Sequence, residues 1–171
     1  MTKSFTLGLL TFTLGLTACG SDGGATPTGP QTAAPSAASS ALLSQVTGYQ
    51  SWPKFDENST PTESQSHMKM FVVTFHNDVV TQAVAAKTLP LPDGALIVKQ
   101  NLAKAADAEP MALTVMNKQG GAWYWLEATA DGRVILDPLG KPLEGTDVPM
   151  CMTCHGMQAS NDSVYTHDFT K

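Results

Sequence analysis

Basic charge is scarce in this chain. Lys and Arg together number 10 among 171 residues, and Arg133 is the single arginine. A protein that holds nucleic acid by neutralising phosphates needs a basic patch, and no stretch here supplies one, so no nucleic-acid partner is expected. Charged residues of both signs make up only 15% of the chain, with a net charge of −5. That is too little for a coiled coil or a charged disordered tail, whereas 42% hydrophobic residues suffice for one buried core. No apolar run reaches the roughly twenty residues of a membrane-spanning helix. Cysteine is rare as well. There are three in all, so each can be accounted for.

The first cysteine closes a sorting signal. Lys3 supplies a positive start, and Phe5 to Leu16 is a twelve-residue apolar run broken only by Thr and Gly. The run ends in Leu16-Thr17-Ala18-Cys19-Gly20, which resembles the lipobox of bacterial lipoproteins. That resemblance implies a signal peptide over residues 1–18 and acylation of Cys19 as the new N-terminus. Contact with the membrane is then through the lipid alone, at about 0.8 kcal/mol per buried methylene. Gly20 after the cysteine, in place of Asp, implies an outer-membrane location facing the periplasm. The alternative is an ordinary secretory peptide that happens to contain a cysteine. Residues 19–40 are rich in Ser, Gly, Ala, Pro and Thr and are expected to form a flexible lipid-anchored linker. The folded domain is expected over residues 41–171.

The other two cysteines lie in Cys151-Met152-Thr153-Cys154-His155, the attachment pattern of c-type haem. Two thiols three positions apart can each add to a vinyl group of the porphyrin. The histidine that follows is then placed beneath the iron. Three other readings compete. A Cys-x-x-Cys redox disulfide normally opens a helix after a strand in a βαβ setting, and here the motif follows a loop from Asp137 to Pro149. A zinc site needs further ligands, of which His167 is the one nearby. A plain disulfide across so short a loop stabilises little. One covalent haem c, with His155 on the metal, is the reading adopted.

The sixth iron position is open to question. Met157 is the one methionine after the motif, too close to His155 to reach the opposite haem face. A sixth ligand therefore comes from upstream or is absent, and an absent ligand leaves iron free to bind small molecules. His67, His76, His167, Met68 and Met70 are the candidates for a sixth ligand.

Ahead of the motif the sequence reads as strands. Met68 to His76 is dense in β-branched and aromatic residues, with Phe71, Val73 and Phe75 on one face. Asn77 can cap a short helix from Asp78 to Lys87. Pro92-Asp93-Gly94 turns the chain into a strand from Ala95 to Asn101. Met111 to Lys118 and Trp123 to Thr129 form two more strands joined through Gln119-Gly120-Gly121, and Asp131-Gly132 leads into Arg133 to Leu136. The expected fold class is α+β, a β-rich antiparallel sheet with a few short helices and a C-terminal haem-attachment segment. Alternation places Lys99 on one face with Ala95 and Ile97, and Glu127 on one face with Trp123 and Trp125.

Taken together, Trp52, Phe75-His76-Asn77-Asp78, Leu91-Pro92-Asp93-Gly94-Ala95-Leu96-Ile97-Val98-Lys99, Gly121-Ala122-Trp123-Tyr124-Trp125, the late Cys-x-x-Cys-His and Asn161-Asp162-Ser163-Val164-Tyr165 resemble the cytochrome P-460 family. The resemblance implies a β-rich fold, a homodimer and one five-coordinate c-type haem. Crosslinked members of that family oxidise hydroxylamine, and related uncrosslinked members bind nitric oxide. Carried over, Cys151 and Cys154 are the thioether residues and His155 the proximal ligand. Lys99 matches the lysine that is bonded to the haem edge in the catalytic members. Glu127 is the candidate polar group on the distal side, and Phe71 and Phe75 are candidates for an apolar distal wall.

Three functions follow. The first is a haem oxidoreductase acting on hydroxylamine or a similar small nitrogen compound, passing electrons to a soluble redox partner. The second is a binding or electron-transfer cytochrome with no dedicated substrate. The third is a haem-free thiol–disulfide protein.

Overall fold

The computed structural model describes residues 29–169 and residue 171. The signal peptide, Cys19 and the first part of the expected linker lie outside the described residues. The α-helices and strands of the described residues are β1 (Thr32–Ala33), α1 (Ala37–Gln45), β2 (Thr62–Glu63), β3 (Phe71–His76), α2 (Asp78–Ala86), β4 (Leu96–Leu102), β5 (Ala112–Gln119), β6 (Ala122–Ala128), β7 (Val134–Ile135), β8 (Glu144–Gly145) and α3 (Pro149–His155). All eight strands join one antiparallel sheet in the order β1-β7-β6-β5-β4-β3-β2, with β8 also paired to β6. This is the β-rich α+β class expected from the sequence. None of the described helices is long and apolar enough to cross a membrane.

The four long strands carry the architecture, and alternation along them divides the core in two. Val73, Phe75, Leu96, Val98, Leu113, Val115 and Leu126 face α1 and the turn after it, where Leu42 of the helix and Val46 and Tyr49 of the turn cover them. Ile97, Met116, Trp123 and Trp125 face the other way, toward Phe55, Leu91, Val148, Val164 and Phe169. Strand register makes the second face a shared surface: Thr74 pairs with Lys99, Lys99 with Thr114, and Thr114 with Glu127. Directly opposed residues in antiparallel strands point to the same side, so these four form a polar row across an otherwise apolar face.

Local chemistry fixes the connections. Asn77 caps α2, its Oδ1 accepting from the Val80 N–H at 3.3 Å and from the Leu96 N–H at 3.1 Å. At the β5–β6 hairpin, Gly120 and Gly121 take φ of 56° and 77°, the left-handed conformation that a tight two-residue turn demands. The Asp93 carboxylate accepts both of their N–H groups at 2.9 Å, so the preceding turn staples the hairpin.

Two expectations need correction. The linker expected through Ser40 ends earlier, because Thr32 and Ala33 pair with Ile135 and Val134 and α1 begins at Ala37. Backbone pairing with an exposed edge needs no side-chain pattern, so composition missed it. The strand expected from Met68 begins at Phe71. His67, Met68 and Lys69 instead form a turn with φ of 42°, 54° and 57°.

Candidate functional site

Helix α3 carries the attachment motif. Pro149 occupies its first turn, where a missing N–H is harmless. At about 100° per residue, Cys151, Cys154 and His155 fall within one arc of roughly 100°, so both sulfurs and the imidazole face the same way. Cys151 is half-buried, Cys154 exposed, and both are free thiols. Burial, reinforced by the Glu127 and Cys154 charges, pushes the Cys151 thiol up to about 12. A redox-active cysteine has its thiolate favoured, the opposite condition.

His155 is held tightly. Its Nδ1 donates to the Ser163 carbonyl at 2.7 Å, which leaves Nε2 with its lone pair free. A metal-bound imidazole is oriented by such a bond on its other nitrogen. Trp125 and Tyr165 flank the ring, with centroids 4.8 Å and 5.5 Å away. The Tyr165 hydroxyl also donates to the Cys154 carbonyl at 2.8 Å, tying the closing segment back to α3.

The Ser163 carbonyl is itself positioned by its neighbours. Asp162 and Ser163 have φ of 49° and 66°, left-handed values that turn the chain sharply after the motif. Asp162 anchors this turn to the sheet: its carboxylate accepts from Lys118 Nζ at 2.6 Å and the Leu91 N–H at 2.8 Å. Its carbonyl accepts from Trp123 Nε1 at 2.8 Å. Sequence reading missed this clamp. One clue was available, because alternation puts Lys118 inward with Thr114 and Met116, and a buried lysine requires a carboxylate.

Across from His155, the sheet contributes Ile97, Lys99, Thr114 and Met116 to a cavity that Val164, Tyr165 and Thr166 complete. Lys99 and His155 therefore line one space. Burial lowers the Lys99 amine to about 8, although the charges of Cys151 and Glu127 act to raise it. Burial raises the Glu127 carboxyl, and Lys99 partly offsets this. Glu127 lies on the Lys99 face, two strands away in the polar row.

Among the proposed sixth ligands, His67 comes to this cluster, with its Nε2 3.4 Å from Lys99 Nζ. Burial, with the Lys99 and His155 charges, lowers His67 to about 4. His76 packs on Phe55 at 4.4 Å, and His167 pairs with Glu57 at 2.8 Å. Met68 points to solvent, 82% exposed, and Met70 is half-buried just ahead of β3. Phe75 belongs to the α1-facing core, and Phe71 packs against the same cluster, so the structure does not place either as a distal wall. The reason is register: Phe75 pairs with Val98, one residue out of phase with Lys99.

The residues present suit a covalently held haem. They offer two thiols and an oriented imidazole on one arc, beside a cavity where Ile97, Met116 and Val164 meet Lys99, Thr114, Tyr165 and Thr166. A zinc site is not supported, since no three His, Cys, Asp or Glu side chains converge among the described residues.

A search of curated proteins finds no match. The sequence profile of the Cytochrome P460 family matches residues 46–166, which takes in the four long strands, the polar row and the whole attachment motif. The chain therefore belongs to the cytochrome P460 family, and it is a haem-binding cytochrome.

Proposed function

We propose that this protein carries a single haem c, joined through Cys151 and Cys154 and ligated by His155, and that it binds or oxidises a small nitrogen compound such as hydroxylamine or nitric oxide. The carrying observation is the shared cavity: His155, its Nε2 free, lines the same space as Lys99. The haem iron supplies the ligand-binding and electron-transfer chemistry. The chain supplies the rest. Ser163, Trp125 and Tyr165 fix the imidazole, while Ile97, Met116 and Val164 give the cavity its apolar wall. Lys99, lowered to about 8 by burial, brings an amine that can exchange a proton near neutral pH, and Glu127 a carboxyl that burial makes easier to protonate than a free one. Lys99 is also the residue proposed to bond to the haem edge. Electrons leave to a soluble redox partner, with the protein tethered by its Cys19 lipid to the outer membrane and facing the periplasm.

The test is the spectrum of the matured ferrous protein with and without nitric oxide. A five-coordinate high-spin spectrum that changes on adding nitric oxide supports the proposal. A six-coordinate low-spin spectrum that does not respond favours an electron carrier without a dedicated substrate. Digestion separates the two five-coordinate versions, because a haem peptide that also contains Lys99 marks the crosslinked, oxidising form.

A further inference from the structure

Lys99 stands between two threonines whose hydroxyls are already engaged. Thr74 Oγ1 accepts from the buried Asn58 amide at 2.8 Å, and Thr114 Oγ1 from the buried Asn101 amide at 2.9 Å. Ile97 and Met116 complete the apolar floor beside them. Among the described residues, Lys99 Nζ has a single hydrogen-bond partner, His67 Nε2 at 3.4 Å. When Lys99 is protonated it can only donate, and the His67 ring nitrogen is then the acceptor.

The backbone that delivers His67 is strained. Three successive residues, His67, Met68 and Lys69, all lie in the left-handed region, and none is Gly, Asn or Asp. Side chains with a Cβ avoid that region, and a run of three persists only where the surroundings over-determine it. The turn is closed by Lys69 N–H to Ser66 O at 3.0 Å and Met70 N–H to His67 O at 3.1 Å. Its consequence is local: Met68 is thrown outward, 82% exposed, while His67 is turned inward onto Lys99.

We propose that His67 is a positioning residue for Lys99, holding the amine in place within the cavity that His155 shares. This rests on the reading of that cavity as the haem site. It assigns a role to a residue that neither the attachment motif nor strand alternation singles out. His67 acts through Lys99, and the left-handed turn exists to bring it there.

The test uses matured holoprotein in three forms: unmodified, His67→Leu, which fills the space without an acceptor, and His67→Gln, whose amide oxygen can accept in place of the ring nitrogen. Each is treated with acetic anhydride, and acylation of Lys99 is measured by peptide mass spectrometry against exposed Lys104 in the same sample. If Lys99 is joined to haem in the unmodified protein, the yield of the joined peptide is read instead. His67→Leu is expected to raise relative Lys99 acylation, or lower the joined yield, by about fivefold, the factor for one lost hydrogen bond. His67→Gln is expected to restore most of it. Should His67→Leu not fold, Lys99→Met decides, since freeing His67 should speed its modification by diethyl pyrocarbonate. Equal labelling in the compared pair, with haem content intact, overturns the positioning role. An unmodified protein that takes up no haem overturns the underlying site reading instead.

Discussion

Asp162 shows how much one side chain can hold. Its carboxylate joins a lysine from β5 and a backbone N–H from the loop before β4, while its carbonyl takes the Trp123 indole. The Lys118–Asp162 pair is nearly dry, the two side chains being 5% and 12% exposed. Removing one partner strands a buried charge, so Asp162→Ala should lower stability by about 3–5 kcal/mol in urea unfolding. Removing both, as Lys118→Met with Asp162→Leu, should recover a good part of that loss. A second expectation concerns acid. Burial lowers His67 to about 4 from 6.5 and also lowers His76, so the folded state resists protonation that the unfolded chain accepts. The stability His67 contributes is complete above about pH 6.5 and is lost as pH falls from there toward 4, and His76 acts in the same direction. Thermal melts of His67→Gln should show a shallower fall across that window, and an unchanged slope would remove His67 from the explanation. At this scale the sequence was informative wherever chemistry was tied to spacing. The intervals of Cys151, Cys154 and His155 bring them to one arc of α3, as the attachment pattern requires, and alternation made the faces of Lys99 and Glu127 legible. Phe71 and Phe75 were not. Alternation says which residues share a face but not which face meets the site, because that depends on pairing with Val98 rather than Lys99.

Elements follow the same division. Strands β3 to β6 and helix α2 announce themselves through β-branched density, glycine turns and a capping asparagine, and their ends differ from expectation by a few residues at most. The strands β1, β2 and β8 have two residues each, too few for any periodic pattern, whereas β7 falls inside the strand expected from Arg133 to Leu136, shortened to Val134–Ile135. β2 and β8 pair with backbone groups that the long strands β3 and β6 leave open, and β1 pairs with β7. Helix α1 was hidden for another reason, since only Leu42 and Ser39 within it are fully buried. Asn77 tests whether capping or packing sets the position of α2. It caps Val80, accepts from Leu96 and donates to the Gly94 carbonyl at 2.8 Å, linking three segments at once. Asn77→Ala should therefore cost at least the usual ~1 kcal/mol for a lost cap. Asn77→Asp keeps the acceptor and should cost less. Equal losses for the two variants would mean that the Gly94 bond, and not the cap, matters.

For the whole molecule, the two faces of the sheet have separate tasks. The α1-facing side is a conventional apolar core. Leu126 is fully buried there, and Leu126→Ala should lower stability by about 2–5 kcal/mol without altering the Lys99 cavity. The opposite side interrupts its apolar surface with the row from Thr74 to Glu127 and is closed by the C-terminal segment, pinned through Asp162. That closure was the least legible part of the site. It joins residues 44 and 71 positions apart, Lys118 and Leu91 to Asp162, and no local pattern reports such a contact. At the other end of the chain, the proposed lipid anchor predicts that Cys19→Ala will move the protein from the membrane fraction to the soluble fraction, as read by immunoblot.

All of this turns on whether the thiols of α3 hold a porphyrin. The protein should be produced with the cytochrome c maturation machinery, purified, extracted with acidified acetone and then examined for its absorption spectrum. We expect an intense Soret band that stays with the polypeptide through extraction and is lost in the Cys151→Ala, Cys154→Ala double variant. A colourless protein, or a pigment that extracts completely into the solvent, would contradict the assignment.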